Sequence, residues 1–402
     1  DPKEYEEIKA RYGELRAEAK KQPNGLIYDR SSRSALETSE EERRAEFERR
    51  WAIGGTNFIA SFNDVMMNPE ANEMAAEFVR GKIREIVKDP KTAEILTPHN
   101  IIGCKRLCVD TDYWTTYNRD NVDLVDVSKE PVERIVPEGV KAHGKVFEFD
   151  ALVLATGFDA MTGTLLRMNI RGRDGLPLKD KWAEGPRNYL GLAVAGFPNM
   201  FTVTGPGSPS VLANMIPAIE QHVDWIADCL AYLTEKGVGE IEPVEEAESE
   251  WMEHVRVVGE ASLRSHCDSW YVGANVPGKP RIFMPYIGSV PEYARRCNEA
   301  ARKGYEGFRL AKEGRTVRRG PSGLGEAVYA EGFEGDVGLA GVDQFRQDTA
   351  DGGAEIEAVG REAEGVEAAF FGHAGRDHGD GVGHAPFDPG PGPDDARTLE
   401  FR

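Results

Sequence analysis

Four short stretches of this chain carry the residue types from which chemistry is built. Asp150-Ala-Leu-Val-Leu-Ala-Thr-Gly-Phe-Asp-Ala160 is an apolar run that stops abruptly at Thr156-Gly157. A run bounded in this way is expected to be a strand buried on both faces, with Gly157 letting a ligand approach the backbone where the strand ends. Such strand ends carry cofactors in open α/β sheets, although an ordinary buried strand closed by a tight turn has the same pattern. Lys105-Arg106 follows Gly103-Cys104 and precedes Asp110 and Tyr113; two adjacent cations at a turn are ordinarily a solvated surface. Gly205-Pro-Gly-Ser-Pro-Ser210 leads through Val211, Leu212, Ala213 and Asn214 to Met215, a Gly/Pro loop ahead of a helix. Ser208 is no nucleophile elbow, because Gly207 precedes it directly and Pro209 follows, so Gly-x-Ser-x-Gly is not satisfied. Trp270, between Ser269 and Tyr271, reads from its type alone as a packed aromatic. His373, His378 and His384 lie in a Gly/Asp-rich stretch with no closed ligand set, so no metal site is expected.

The first of these stretches, Asp-x4-Ala-Thr-Gly-Phe, resembles the motif that joins the NADP and FAD domains of class B flavoprotein monooxygenases. Tyr117-Asn-Arg-Asp-Asn-Val122, Tyr189-Leu-Gly-Leu-Ala-Val-Ala-Gly-Phe-Pro-Asn199, the loop Gly205–Ser210 and Ser269-Trp-Tyr-Val-Gly-Ala-Asn-Val-Pro-Gly-Lys-Pro-Arg281 are similar to Baeyer-Villiger monooxygenases of the phenylacetone and cyclohexanone type. The resemblance implies FAD and NADPH as cofactors, and a ketone and O2 as substrates, one oxygen being inserted beside the carbonyl to give an ester or lactone. It places Lys105 near the cofactor 2′-phosphate and Arg106, the catalytic residue, near the flavin peroxide. Thr156, Gly157 and Phe158 fall at the cofactor seam, and Trp270 falls on the nicotinamide ribose under a closing loop. Ser210, Val211, Leu212 and Met215 shape the substrate pocket beside the flavin, and Lys279 and Arg281 receive no role. An arginine suits the catalytic task because its guanidinium stays charged and offers several donors in a planar fork to a developing oxyanion. A flavin monooxygenase that oxidises nitrogen or sulfur, and an inactive non-catalytic fragment, remain the alternatives.

No Gly-x-Gly-x-x-Gly occurs, although FAD and NADPH each need such a loop at a helix N-terminus, and the Phe-x-Gly-x-x-x-His signature of the family is missing too. The glycine loops, and the aspartate that pairs with the catalytic arginine, are expected before Asp1. The chain by itself is therefore expected to bind neither cofactor tightly and to show no turnover.

The elements that must position these residues follow from composition and periodicity. With 402 residues, 40% hydrophobic and 29% charged, the chain should fold into two or more domains around a substantial core. No apolar run is long enough to span a bilayer, and a net charge of -20 argues against a nucleic-acid surface. Five scattered cysteines without a Cys-x2-Cys pair suggest neither disulfides nor zinc, and a cytoplasmic protein with reduced thiols is expected. The chain opens on Asp1 with no visible targeting peptide, and residues are expected upstream. Tyr5, Ile8, Tyr12 and Leu15 share one helical face. Ser39-Glu-Glu-Glu42 is a capping box, Pro69 opens a helix, and Asp89-Pro90 starts the next. Short strands are expected at Val122–Val125, Val146–Phe149 and Ala151–Ala155, and an amphipathic helix at Ile216–Ile226.

Beyond Lys312 there is no lysine, glycine is frequent, and 8 Arg face 19 Asp and Glu, so over half the net negative charge lies there. Such a segment buries too little apolar surface to fold alone; it is a disordered extension or the product of a shifted reading frame. The expected fold is α/β, part of a flavoprotein with two dinucleotide-binding domains. A helical subdomain of the NADP domain covers 1–102 and the end of the NADP-binding α/β domain 103–154. The C-terminal part of the FAD-binding domain covers 155–312, and a disordered, low-order Gly/Asp/Glu-rich tail covers 313–402.

Overall fold

A computed structural model describes residues 2–312 and the backbone of two further strands, Ala368–Gly372 and Arg397–Phe401. The remainder of 313–402, with His373, His378 and His384, lies outside the described residues. The first hundred residues are helical, as their periodicity predicts. Ser39 caps Glu40–Ile53, its hydroxyl accepting from the Glu42 N–H and donating to the Glu42 carboxylate at 3.0 Å. Asn68 caps Pro69–Ile86 through the N–H groups of Glu70 and Ala71, and Asp89 caps Pro90–Leu96. Phe47, Phe58, Phe62 and Phe78 pack ring against ring between the two long helices, with centroids 5.4 to 5.6 Å apart. Asn72, buried in this core, donates to the carbonyls of Val65 and Ile102 and accepts from the Ile102 N–H at 3.0 Å. It thereby fixes the segment that delivers Gly103 to Arg106. The face shared by Tyr5, Ile8 and Tyr12 is split between two helices at Arg11, and all three side chains are exposed.

The strands are short. Arg134–Val136, Gly139–Ala142 and Lys145–Glu148 form an antiparallel meander. A four-stranded sheet runs in the order Val122–Val125, Arg397–Phe401, Ala368–Gly372, Ala151–Val153. The last strand corrects an expectation: Ala151–Val153 is not buried on both faces, since Val153 is 43% and Leu154 62% exposed. An apolar run is enclosed only where layers lie over both its faces, and here only Leu152 packs against the cluster of Val125, Val140 and Ala142, while Ala151 and Val153 are exposed. The strand ends at Val153, short of the expected Ala155, and Gly157 has φ +77°.

The C-terminal core surrounds the helix Met215–Lys236, longer than the predicted Ile216–Ile226. It buries Trp225, Cys229 and Leu233 against Trp251, Tyr293 and Tyr305. Between this helix and the cluster of Trp182 and Phe197 runs a buried, irregular stretch, residues 188–210. Its backbone polar groups find side-chain partners. Ala195 N–H donates to Glu248 and Gly196 N–H to Glu242, both at 2.9 Å. Asn188 accepts from Gly191 N–H and donates to the Pro206 carbonyl, each at 2.7 Å. Gly191, at φ +68°, lies so close to Ser208 that an added Cβ would come within 2.5 Å of the serine Cβ. At the far end Thr204 N–H donates to Nδ1 of His222 at 2.9 Å.

Two consequences are measurable. Glu248 is fully buried and is reached by Lys181 at 2.9 Å and Arg187 at 3.3 Å as well as by the Ala195 amide. Glu248→Ala strips all three of their acceptor and should cost about 3 kcal/mol in urea unfolding, the magnitude seen when one partner of a buried pair is removed. Burial also holds His222 at about 4, against an ordinary 6.5. Between those values the unfolded chain binds a proton that the folded chain refuses, so stability falls as pH drops through this window, by about 3 kcal/mol in all. His222→Gln should flatten that slope when urea midpoints at about pH 7 and about pH 4.5 are compared.

Candidate active site

Two of the stretches predicted to carry chemistry, Lys105-Arg106 and the loop through Pro209, Val211 and Leu212, converge on one cavity of about 570 Å³, which Tyr271 beside Trp270 also lines. Lys105 and Arg106 stand on its wall, and the Arg106 guanidinium donates to the Val211 carbonyl, 105 residues further along the chain. Val211 and Leu212 line the same cavity and pack with Trp270, Tyr271, Val272 and Phe283. Ser210 is buried, and its hydroxyl has no hydrogen-bond partner among the described residues. Ser208 is also buried, its hydroxyl donating to the Gly205 carbonyl at 2.7 Å, which closes the turn. Asn214 caps the helix that starts at Met215, and its amide nitrogen donates to the Gly25 carbonyl at 3.1 Å, tying the segment after Pro23 to the cavity.

Not every predicted site residue reaches this wall. Met215 sits on the first turn of its helix, outside the lining. Thr156, Gly157 and Phe158 are exposed and away from it, Phe158 by 87%. Trp270 is half-buried beside Tyr271, ring centroids 4.3 Å apart, behind the cavity surface. The two stretches nevertheless meet: Asn275 Nδ2 donates to the Phe158 carbonyl at 2.9 Å, and Lys279 pairs with Asp159 at 2.7 Å. Lys279, which receives no role from the sequence, is thus the tether between the loop after Trp270 and the turn after Gly157. Arg281 pairs with Asp268 at 2.8 Å.

The expectation of five reduced cysteines is also corrected. Cys104 and Cys267 form a disulfide across 163 residues, with Cα atoms 6.0 Å apart; Cys108, Cys229 and Cys297 are free. Spacing rules detect only cysteines close in sequence, and here the fold alone apposes the pair. The bond joins the loop of Lys105-Arg106 to the segment containing Arg264.

Several cavity residues carried no signal in the sequence. Tyr28 and Arg30 come from the helical part, where the sequence offers no candidate site residue, and Arg264 and Tyr271 from the third quarter of the chain. The Tyr271 hydroxyl is buried without a hydrogen-bond partner. Burial raises its pKa, while the charges of Arg106 and Arg264 act in the opposite direction. The Ser210 hydroxyl and the Arg264 Nε are likewise enclosed without a partner among the described residues, and of the two only Arg264 lines the cavity.

No protein-family model matches the chain. Among curated relatives, the cyclohexanone 1,2-monooxygenase of Acinetobacter sp is 43% identical over 277 residues, 68% of this chain and 50% of that protein. The phenazine N-monooxygenase of Lysobacter antibioticus is 38% identical over 286 residues, 70% of this chain and 52% of that protein. Among solved structures, oxidized steroid monooxygenase bound to NADP superposes with a TM-score of 0.73 at 46% identity, covering 78% of this chain and 59% of that one. The complex of OTEMO with FAD and NADP gives 0.74 at 36% identity, covering 77% and 58%. The chain thus spans about half the length of the curated relatives it matches. On sequence and fold together, the chain belongs to the Baeyer-Villiger flavin monooxygenase family.

Proposed function

We propose that this chain is the part of an FAD- and NADPH-dependent Baeyer-Villiger monooxygenase that carries the substrate pocket and the catalytic arginine, acting on small ketones with O2. The observation that supports it is the convergence of Arg106, Val211 and Leu212 on one cavity, with Trp270 packed behind them. FAD and NADPH, when bound, would supply the oxygen activation. The protein's own residues do the rest. Arg106, held in place by the Val211 carbonyl, presents a fixed charge to the oxygen that becomes negative beside the attacked carbonyl carbon. Val211 and Leu212 set the apolar size of the ketone site. Ser210 adjoins that ketone site, Lys105 meets the cofactor phosphate, and Met215 and Trp270 contact the cofactor. Thr156, Gly157 and Phe158 form the seam that the Lys279–Asp159 pair holds against the Trp270 loop. The domain boundaries read from the sequence, at 102/103, 154/155 and 312/313, complete this proposal.

The similarity to a phenazine N-monooxygenase favours a second reading, oxidation at nitrogen or sulfur. Product analysis with cyclohexanone and with an aromatic sulfide separates the two, since ester formation requires carbon migration and sulfoxide formation does not. In an enzyme completed by the part of the relatives that this chain does not span, Arg106→Ala should lower ester yield by about 10² to 10³ while NADPH oxidation continues, the loss typical of one preorganised donor. Near-normal ester yield in that variant would remove Arg106 from the reaction.

A further inference from the structure

Arg264 lies in the short helix Leu263–His266, on the cavity wall. Its guanidinium has no carboxylate and no hydrogen-bond acceptor among the described residues, and its Nε is fully enclosed without a partner. Its neighbours are the backbone of Gly103, where an added Cβ would lie 3.7 Å from Nη2, and the rings of Tyr271 and Tyr28. Desolvation lowers its pKa, with the two tyrosines opposing. A lysine in such a place would shed its proton; an arginine keeps its charge, so among the described residues the cation stands uncompensated, at a cost in stability.

The surroundings sharpen the point. Among the described residues Arg30, Lys105, Arg106 and Arg264 line the cavity and no Asp or Glu does, although the whole chain has a net charge of -20. Arg30 is occupied by the Asn24 side-chain oxygen and the face of Tyr28, and Arg106 by the Val211 carbonyl. Arg264 alone of the three arginines meets no acceptor. The Cys104–Cys267 disulfide holds its segment beside the loop of Arg106, so the two guanidinium groups stay on the same cavity in spite of their repulsion.

We infer that Arg264 is an anion subsite of this cavity, a guanidinium that receives a carboxylate or phosphate oxygen of the molecule bound there and so selects for oxo acids over neutral ketones. Only the ketone part of this inference rests on the function proposed above; the anion subsite rests on the cavity itself. Two sources supply the same chemistry, the carboxylate of an oxo acid substrate and the diphosphate of a dinucleotide cofactor.

The test is titration calorimetry on the full chain, without turnover, with levulinate, its uncharged isostere methyl isoamyl ketone, and inorganic pyrophosphate as probes. Levulinate should bind about ten-fold or more tightly than the neutral ketone, the advantage of a charge-assisted pair. Arg264→Leu should abolish that advantage, and Arg264→Lys should keep part of it, since a point charge replaces a fork. Loss of pyrophosphate affinity with levulinate affinity unchanged overturns the selection for oxo acids, leaving Arg264 a contact for phosphate alone. Equal anion affinities in the parent chain and Arg264→Leu, or no anion binding by the parent chain, overturns it. Circular dichroism melts check folding: Arg264→Leu should melt no lower than the parent, and if it fails to fold, Arg264→Lys and Arg264→Gln carry the comparison. Levulinate binding through Arg264 without ester formation in the completed enzyme would refute the oxygenation reading alone.

Discussion

Residues 188–210 run through the interior with little regular structure, and the architecture around the cavity depends on satisfying their backbone. Buried amides and carbonyls need partners, and helices and sheets supply them automatically; an irregular segment must obtain them from side chains. Glu248 and Glu242 accept from Ala195 and Gly196, Asn188 bridges Gly191 and Pro206, and His222 accepts from Thr204. Each carboxylate is held in turn by cations, Glu248 by Lys181 and Arg187, and Glu242 by Arg173 and Arg309. These polar contacts deliver the loop Gly205–Ser210, and with it Val211 and Leu212, to the cavity in one conformation. Trp251 and Tyr293 extend the same logic, donating to the Gly207 and Leu190 carbonyls from within an otherwise apolar cluster.

Much of this was open to reading from the chain, and the reasons differ by element. The caps at Ser39, Asn68 and Asp89 follow local rules, so Ser-x-x-Glu and Asp-Pro foretell helix starts without tertiary knowledge. The amphipathic face around Trp225 is equally local. The strand at Ala151 shows where such rules stop, because an apolar pattern reports a tendency to be covered and says nothing of what covers it. Residues 188–210 were recognisable by family resemblance, yet their irregular path was not, since it rests on Glu242 and Glu248 some fifty residues downstream.

The site divides in the same way. Arg106, Val211 and Leu212 were found through motifs, and the fold places all three on one cavity. Arg264 was missed because nothing in Leu-Arg-Ser-His distinguishes a cavity cation from a surface one, and Tyr271, inside the Ser-Trp-Tyr motif, was passed over for its neighbour Trp270. Cys104 and Cys267 were missed because their apposition exists only after the helical part, held by Asn72, has set the Gly103 turn beside the segment of Arg264.

The distribution of charge has a consequence for how ligands arrive. An acidic chain enclosing a cavity whose charged lining, among the described residues, consists of cations presents an anion with a barrier at long range and an attraction at contact. Salt screens the first more completely, because exposed charges beyond about 10 Å are damped at 0.1 M while enclosed ones are not. Rising ionic strength should therefore speed the association of an anionic ligand with this cavity, the reverse of ordinary electrostatic steering, while its rate of escape changes little.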